Sequence, residues 1–272
     1  MLDLISTKEF AKRIRIESLK MVHSADASHI GGSLSVADIL ATLYSGILNI
    51  SPSNLANTDR DRLIYSKGHC CSALYATLAL KGFFPLELLE SFGKDGSTLT
   101  THISHHVPGI EFSTGSLGHG LPVACGLALA AKRLSKVYKS FSILSDGELD
   151  EGSNWEAILF AGHHKLNNLI VTIDANSIQS LGTVSEVLDL EPLRAKFESF
   201  KWKVNEIDGH DLCQLSQAYS SARNEETKPT VIIARTIKGK GVDFMENRLL
   251  WHYRSPNREL LATAISQIEK EI

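Results

Sequence analysis

SFSILSDGELDEGSNWEAILFAGHHKLNNLIVTIDAN, residues 140–176, is the stretch whose reading decides the fold. SFSIL and LIVTI are short continuous apolar runs. The first ends in Ser145-Asp146-Gly147 and the second in Asp174 and Asn176. Between them a helical stretch runs from about Glu151 to Lys165. Two buried strands joined by a helix of this length make a βαβ unit with parallel strands. Downstream, KVNEID (203–208) and PTVIIAR (229–235) read as further strands, separated by a helical stretch over Asp211–Arg223. The expectation is an α/β fold, a mostly parallel sheet with helices on both faces. Right-handed crossovers would set every strand's carboxyl end on one edge, where ligands of such sheets bind.

Upstream, the first third reads as helices. Phe10, Ile14, Leu19 and Met21 recur at near-helical spacing among charges, and Asp38 to Ile47 continue the theme after Gly31-Gly32. Ser51-Pro52 ends that helix, and a third is expected from near His69 to Gly82. The 272 residues suffice for one large domain, 1–272, with a substantial core. With 43% hydrophobic and 22% charged residues, the chain is not predominantly disordered. A net charge of −3 gives no global footprint for nucleic acid.

The four cysteines form no C-x-x-C pair, which excludes zinc-ribbon and thioredoxin readings and leaves buried reduced thiols. The N-terminus lacks a secretory apolar region, and the most apolar stretch, Leu121–Ala131, is too short to span a bilayer. A cytoplasmic protein without membrane contact is expected.

Asp146 and Asn176 each sit just past a predicted strand. On neighbouring strands, both side chains would project over the same edge and offer hard oxygen ligands suited to Mg²⁺ or Ca²⁺. Gly147 permits a tight turn, and N–H groups at the following helix start can bind phosphate oxygens. Singly, each residue has a structural explanation, as a helix cap or a turn residue. An EF-hand fails because its loop glycine would fall on Glu151. Neither a dinucleotide-binding G-x-G-x-x-G after a strand nor a P-loop is present.

These residues resemble the thiamine diphosphate motif, written G-D-G followed some way on by N, with Asp146 and Asn176 at its fixed positions. More narrowly, the chain resembles the N-terminal, pyrophosphate-binding half of transketolase. The matching stretches are SHIGGSLSVADIL (28–40), DRLIYSKGHCCSALYA (61–76), PGIEFSTGSLGHGL (108–121), SDGELDEG (145–152), IDGHD (207–211) and ARTIKGKGVDFMEN (234–247), in order along the chain. The chain ends soon after WHYRSPN, so the resemblance implies one subunit of a split transketolase. A separate C-terminal, pyrimidine-binding subunit would supply the rest, including the glutamate that activates the cofactor's pyrimidine, in an α₂β₂ heterotetramer acting on sugars or sugar phosphates.

The resemblance assigns Mg²⁺ to Asp146, Asn176 and the carbonyl of Ile178, and the diphosphate to Gly147 and the N–H of Glu148. His69 would sit near the diphosphate. Gly115 and Leu117 would meet the aminopyrimidine ring, and Lys238 would lie near the cofactor, as would Lys67. His29, His102 and His252 would donate hydrogen bonds to sugar hydroxyls and shuttle protons, as imidazole can near neutral pH. His119 is expected behind these, and His105 and His106 as loop residues.

The implied function is ketol transfer from a ketose to an aldose. The alternatives are a half of another thiamine enzyme (E1 α-like or deoxyxylulose-phosphate-synthase-like), a transketolase-like enzyme for a specialised sugar, or a non-catalytic subunit that kept the pocket. Around the histidines the chain departs from the family. Ser28-His29-Ile30-Gly31, Thr101-His102-Ile103-Ser104 and Trp251-His252-Tyr253 stand where the family has S-G-H-P or G-H-I-G, G-H-P-E and W-H-G, and Ser145 opens its G-D-G. An altered substrate rim around a kept cofactor site puts the ordinary pentose-phosphate substrate in question and leaves a specialised sugar as an open alternative.

Overall fold

The two innermost runs quoted above are the two most completely buried strands of a five-stranded parallel sheet. The computed structural model describes residues 3–270. Its strands are β1 (Arg62–Tyr65), β2 (Ser140–Ser145), β3 (Leu169–Ala175), β4 (Lys203–Asp208) and β5 (Thr230–Arg235), ordered β1-β2-β3-β5-β4. Every pairing is parallel, and Ser145 stands opposite Asp174. Asp146 and Asn176 therefore leave neighbouring strands at the same edge.

The helices are α1 (Leu4–Ser24), α2 (Ile30–Ser35), α3 (Ala37–Thr42), α4 (Cys71–Leu80), α5 (Gly120–Arg133), α6 (Gly152–His163), α7 (Val184–Val187), α8 (Leu193–Ser199), α9 (Leu212–Arg223) and α10 (Arg258–Lys270). Asp3 caps α1 by accepting from the N–H groups of Ile5 and Ser6, and Asp211 caps α9 in the same way. Alternate strand residues feed opposite faces, as the pleat requires. Phe141, Ile143, Ile170 and Ile232 pack with α1, α3, α4 and α9. Leu144, Val171, Ile173 and Ile233 pack with α5, α6 and α8. A third cluster joins Leu19 and Val22 of α1 to Val242, Met245, Trp251 and α10.

β1 lies within the third of the chain expected to be helical. RLIY is only four residues long and carries Arg62 at its start, too short for a period-two signal. Tertiary pairing with β2 makes it a strand. The expected 38–47 helix is likewise broken: α3 ends at Thr42 and continues as a π-turn over Leu43–Ile47, with Gly46 at φ 149°. The apolar stretch 121–131 is α5, an amphipathic helix rather than anything membrane-like. Among the described residues no helix is long and apolar enough to cross a membrane. All four cysteines are free. Cys70, Cys71 and Cys125 are buried, whereas Cys213 is exposed, against the expectation of buried thiols throughout.

Candidate functional site

At the carboxyl edge of β2 and β3 lies one pocket that gathers residues from the whole chain. It is lined by His29, His69, His102, Gly115, Leu117, Asp146, Gly147, Asn176, Ile178, Lys238 and His252, together with Ser145, Gln179 and Ser180. Of the residues assigned to the metal and the diphosphate, Glu148 is the one that does not line it. Glu148 is fully buried, and its carboxylate accepts from Ser66 Oγ and from the N–H groups of Gly118 (3.1 Å) and Ser145 (3.3 Å). It ties the loop carrying Gly115 and Leu117 to the end of β2.

The turn after β2 is a 3₁₀ turn, Gly147–Asp150, and α6 begins only at Gly152. The helix start expected near Glu151 is thus met within one residue, and Gly147 lies in the turn before it. A Cβ on Gly147 would lie 2.7 Å from Gln179 Cβ, so only glycine leaves this backbone open to the pocket. Gln179 itself donates to Asp150 Oδ2 at 2.9 Å. Gln179 and Ser180 escaped sequence reading because nothing in their spacing marks them; the Ile178–Thr183 bridge folds their segment back on itself.

Asp146 is buried at 4% exposure. Its carboxylate accepts from Gly147 N–H at 2.9 Å and Ser177 N–H at 2.5 Å. Burial, and then the nearby Asp174, push its carboxyl up to about 6. Such a carboxylate gains from a cation. Ser177 holds φ at 66°, a left-handed conformation that reverses the chain between Asn176 and Ile178. Asn176 Oδ1 accepts from Ile178 N–H at 3.3 Å, and the Ile178 carbonyl accepts from Lys238 Nζ at 2.8 Å, leaving that oxygen a second lone pair. Among the described residues no group of three or more His, Cys, Asp or Glu could hold a metal. A cation here would rely on one carboxylate, one amide oxygen and one carbonyl. That all-oxygen set fits Mg²⁺, which binds through few carboxylates beside a phosphate-bearing ligand. The residues present therefore fit thiamine diphosphate with Mg²⁺.

Lys67 lies behind the pocket, not in it. It is fully buried in an ion pair with Asp174, whose carboxylate also accepts from Ser35 Oγ (2.6 Å) and Thr236 Oγ1. Burial alone would raise Asp174, but Lys67 and these donors hold it below the usual carboxylate range.

The histidines form a cluster centred on His29. Its ring lies 5.2 Å from His69, 5.9 Å from His102 and 5.0 Å from His252, centroid to centroid. His29 adopts φ 71° and donates its N–H to the His252 carbonyl at 2.7 Å. Burial, then His102 and Lys238, hold the His29 imidazole down to about 4. Burial and then Lys238 hold His252 down to about 3, while burial and then Lys67 keep His69 well below the usual histidine value. Burial lowers His102 as well. All four are neutral near pH 7 and can each donate and accept.

Lys238, 3% exposed, reaches His252 Nδ1 at 2.9 Å, and burial pulls its ammonium down to about 8. His119 is exposed at the start of α5 and does not line the pocket. His105 and His106 lie against each other, rings tilted by 38° at 4.1 Å, in an exposed loop outside it.

A parallel sheet with an oxygen-rich pocket at its carboxyl edge defines an α/β domain of the class that binds phosphate-bearing ligands there. A family described as "Transketolase, thiamine diphosphate binding domain" matches residues 6–256. The chain belongs to the transketolase family. It is 40% identical over 262 residues to a subunit of the apulose-4-phosphate transketolase of Phocaeicola vulgatus, covering 96% of this chain and 93% of that one. It is 41% identical over 268 residues to 6-deoxy-6-sulfo-D-fructose transketolase subunit SqwG of a Clostridium species, covering 98% of each. The solved structure of transketolase from Campylobacter jejuni superposes with a TM-score of 0.93 at 33% identity, covering 98% of this chain. The chain spans 43% of the length of that transketolase.

Proposed function

We propose that this chain is the diphosphate-binding subunit of a two-subunit transketolase that moves a two-carbon ketol unit from a ketose donor to an aldose acceptor. A C-terminal, pyrimidine-binding subunit completes the site, in an α₂β₂ assembly. The observation that carries this reading is the pocket itself, which gathers Asp146, Asn176, Lys238 and four neutral histidines at one sheet edge. Its support is the end-to-end match to relatives named as transketolase subunits.

In this reading Asp146 and Asn176, with the Ile178 carbonyl, hold Mg²⁺, and Gly147 and the N–H of Glu148 meet the diphosphate. Gly115 and Leu117 present backbone to the aminopyrimidine. When bound, thiamine diphosphate supplies the electron sink for cleaving a ketose carbon–carbon bond. His69 lies on the diphosphate side. His29, His102 and His252 hold sugar hydroxyls and carry protons at the oxygens borne by the carbons of the bond that breaks. Lys238, donating to His252 Nδ1, leaves the Nε2 of that ring as its donor.

The two relatives above are named for apulose 4-phosphate and 6-deoxy-6-sulfo-D-fructose. A sugar outside the common pentose and hexose phosphates is accordingly the proposed substrate. The test is co-purification with the C-terminal subunit, then a screen of ketose donors and aldose acceptors with thiamine diphosphate and Mg²⁺. Ketol transfer by the pair and none by either chain on its own is expected. Transfer by the purified single chain would refute the two-subunit reading.

A further inference from the structure

The IDGHD stretch (207–211) takes no part in the pocket, yet its histidine is half-buried between other segments. The His210 side chain is 12% exposed and stands just past β4. The Ile237 N–H donates to its Nε2 at 2.8 Å. That nitrogen is therefore the unprotonated one, and the ring proton sits on Nδ1. Nδ1–H donates to Asp38 Oδ2 at 2.7 Å. Arg15 grips the same carboxylate at 3.2 and 2.5 Å and anchors its own Nε on the Leu34 carbonyl. The arrangement fixes both the position and the tautomer of His210.

Ile237 is the residue before Lys238. On the other side, Gly239 donates to the Gly31 carbonyl at 2.9 Å. Residue 238 is thus pinned fore and aft, and its chain passes over Gly31, where a Cβ would lie 3.0 Å from Lys238 Cγ. The pinning matters because Lys238 is buried and, among the described residues, has no carboxylate in ion-pair contact. Its partners are a carbonyl and an imidazole. A buried ammonium with no carboxylate in contact gains by swinging to solvent. Its two hydrogen bonds, the nearby charges of Asp146 and Asp174 and the anchoring of its backbone oppose that movement.

We infer that His210 is a positioning residue that acts through Ile237 on Lys238, and through Lys238 on the Ile178 carbonyl and the His252 ring. The inference rests on the proposed reading that this pocket receives thiamine diphosphate and Mg²⁺, and it adds a residue outside the pocket that sets it. Outer contacts of this kind commonly change affinity by about 10- to 100-fold when removed.

Two substitutions separate the two hydrogen bonds. In His210→Asn the amide reaches Asp38 but falls short of Ile237. In His210→Gln the longer amide can accept from Ile237. Each is made in the complex with the C-terminal subunit, with assembly checked by sedimentation. Thiamine diphosphate affinity is read by calorimetry at saturating Mg²⁺, and KM and kcat for the ketose donor are read separately. His210→Asn is expected to weaken thiamine diphosphate about tenfold, and His210→Gln by less than about threefold. In a Lys238→Ala background both effects should shrink to within about twofold, since residues acting through one another are non-additive. Equal losses for Asn and Gln, or an Asn effect undiminished in the Lys238→Ala background, would overturn the role of His210. Undiminished affinity in His210→Asn would do the same while leaving the functional reading intact. Failure of the unsubstituted complex to bind thiamine diphosphate would overturn that reading and this inference together.

Discussion

The main-chain N–H of His29 donates to the carbonyl of His252 at 2.7 Å, tying two pocket histidines from opposite ends of the chain. The bond holds His29 in its left-handed conformation and brings the two rings within 5.0 Å. Burial first, then His102 and Lys238 at His29 and Lys238 and His29 at His252, keeps both neutral.

A pH dependence follows from this pair. The unfolded chain takes up protons at these histidines near pH 6.5, whereas the folded chain resists down to about 4 at His29 and about 3 at His252. The folded state then binds fewer protons, so stability falls as pH drops from about 6.5 towards 4. Asp146 acts in the opposite sense: raised to about 6, it takes up a proton in the folded chain first and offsets part of the loss. His252→Gln should make the decline shallower, as read from urea midpoints between about pH 7 and 4.5. An unchanged slope would count against the buried neutral imidazole.

Asp146→Ala removes the one carboxylate of the oxygen set. Thiamine diphosphate affinity in the assembled enzyme should fall by at least about 100-fold, with far-ultraviolet circular dichroism unchanged, because the proposed charged Mg²⁺ ligand is lost from a strand end outside the core. Calorimetry showing unaltered affinity would remove Asp146 from the metal site.

Glu148→Ala would leave the Gly118 and Ser145 N–H groups and the Ser66 hydroxyl without their buried acceptor. An unsatisfied buried donor costs about 1–3 kcal/mol, so a loss of about 3 kcal/mol in denaturant unfolding is expected. A variant as stable as the parent would show that water replaces the carboxylate.

Gly115 holds φ at 144°, and a Cβ there would lie 2.6 Å from His102 Cδ2. Gly115→Ala should therefore displace His102 and, on the role proposed for that histidine, lower kcat about tenfold or more, since a proton-transfer residue contributes about 10²–10⁴-fold. A crystal structure with the His102 ring unmoved would contradict the clash.

Tyr253 is 59% exposed, with its ring 4.7 Å from His252 and 5.9 Å from His29. Its carbonyl is fixed by the Ser28 hydroxyl at 3.1 Å. A ring so placed stands at the rim of the histidine cluster. Tyr253→Gly should change the order of kcat/KM among aldose acceptors, whereas His102→Ala should depress all of them. Apolar fit contributes about 1–3 kcal/mol per methylene-sized change, enough to invert a ranking. An unaltered order in Tyr253→Gly would exclude the ring from substrate selection.

The parallel core, and the two strand ends that carry Asp146 and Asn176, were legible from the order of residues. Continuous apolar runs alternating with helical stretches read directly as βαβ units, because burial on both faces writes a local pattern. The ordered motifs also supplied eleven residues that line one pocket. That RLIY is a strand came only from the folded chain, since four residues carry too little periodicity and pairing with β2 is non-local. Folding likewise settled that Glu148 turns its carboxylate inward, that Lys67 faces Asp174 rather than the pocket, and that His210 stands behind Lys238. Which way a polar side chain points depends on the donors and charges that distant segments bring within reach, and no spacing along the chain encodes that meeting.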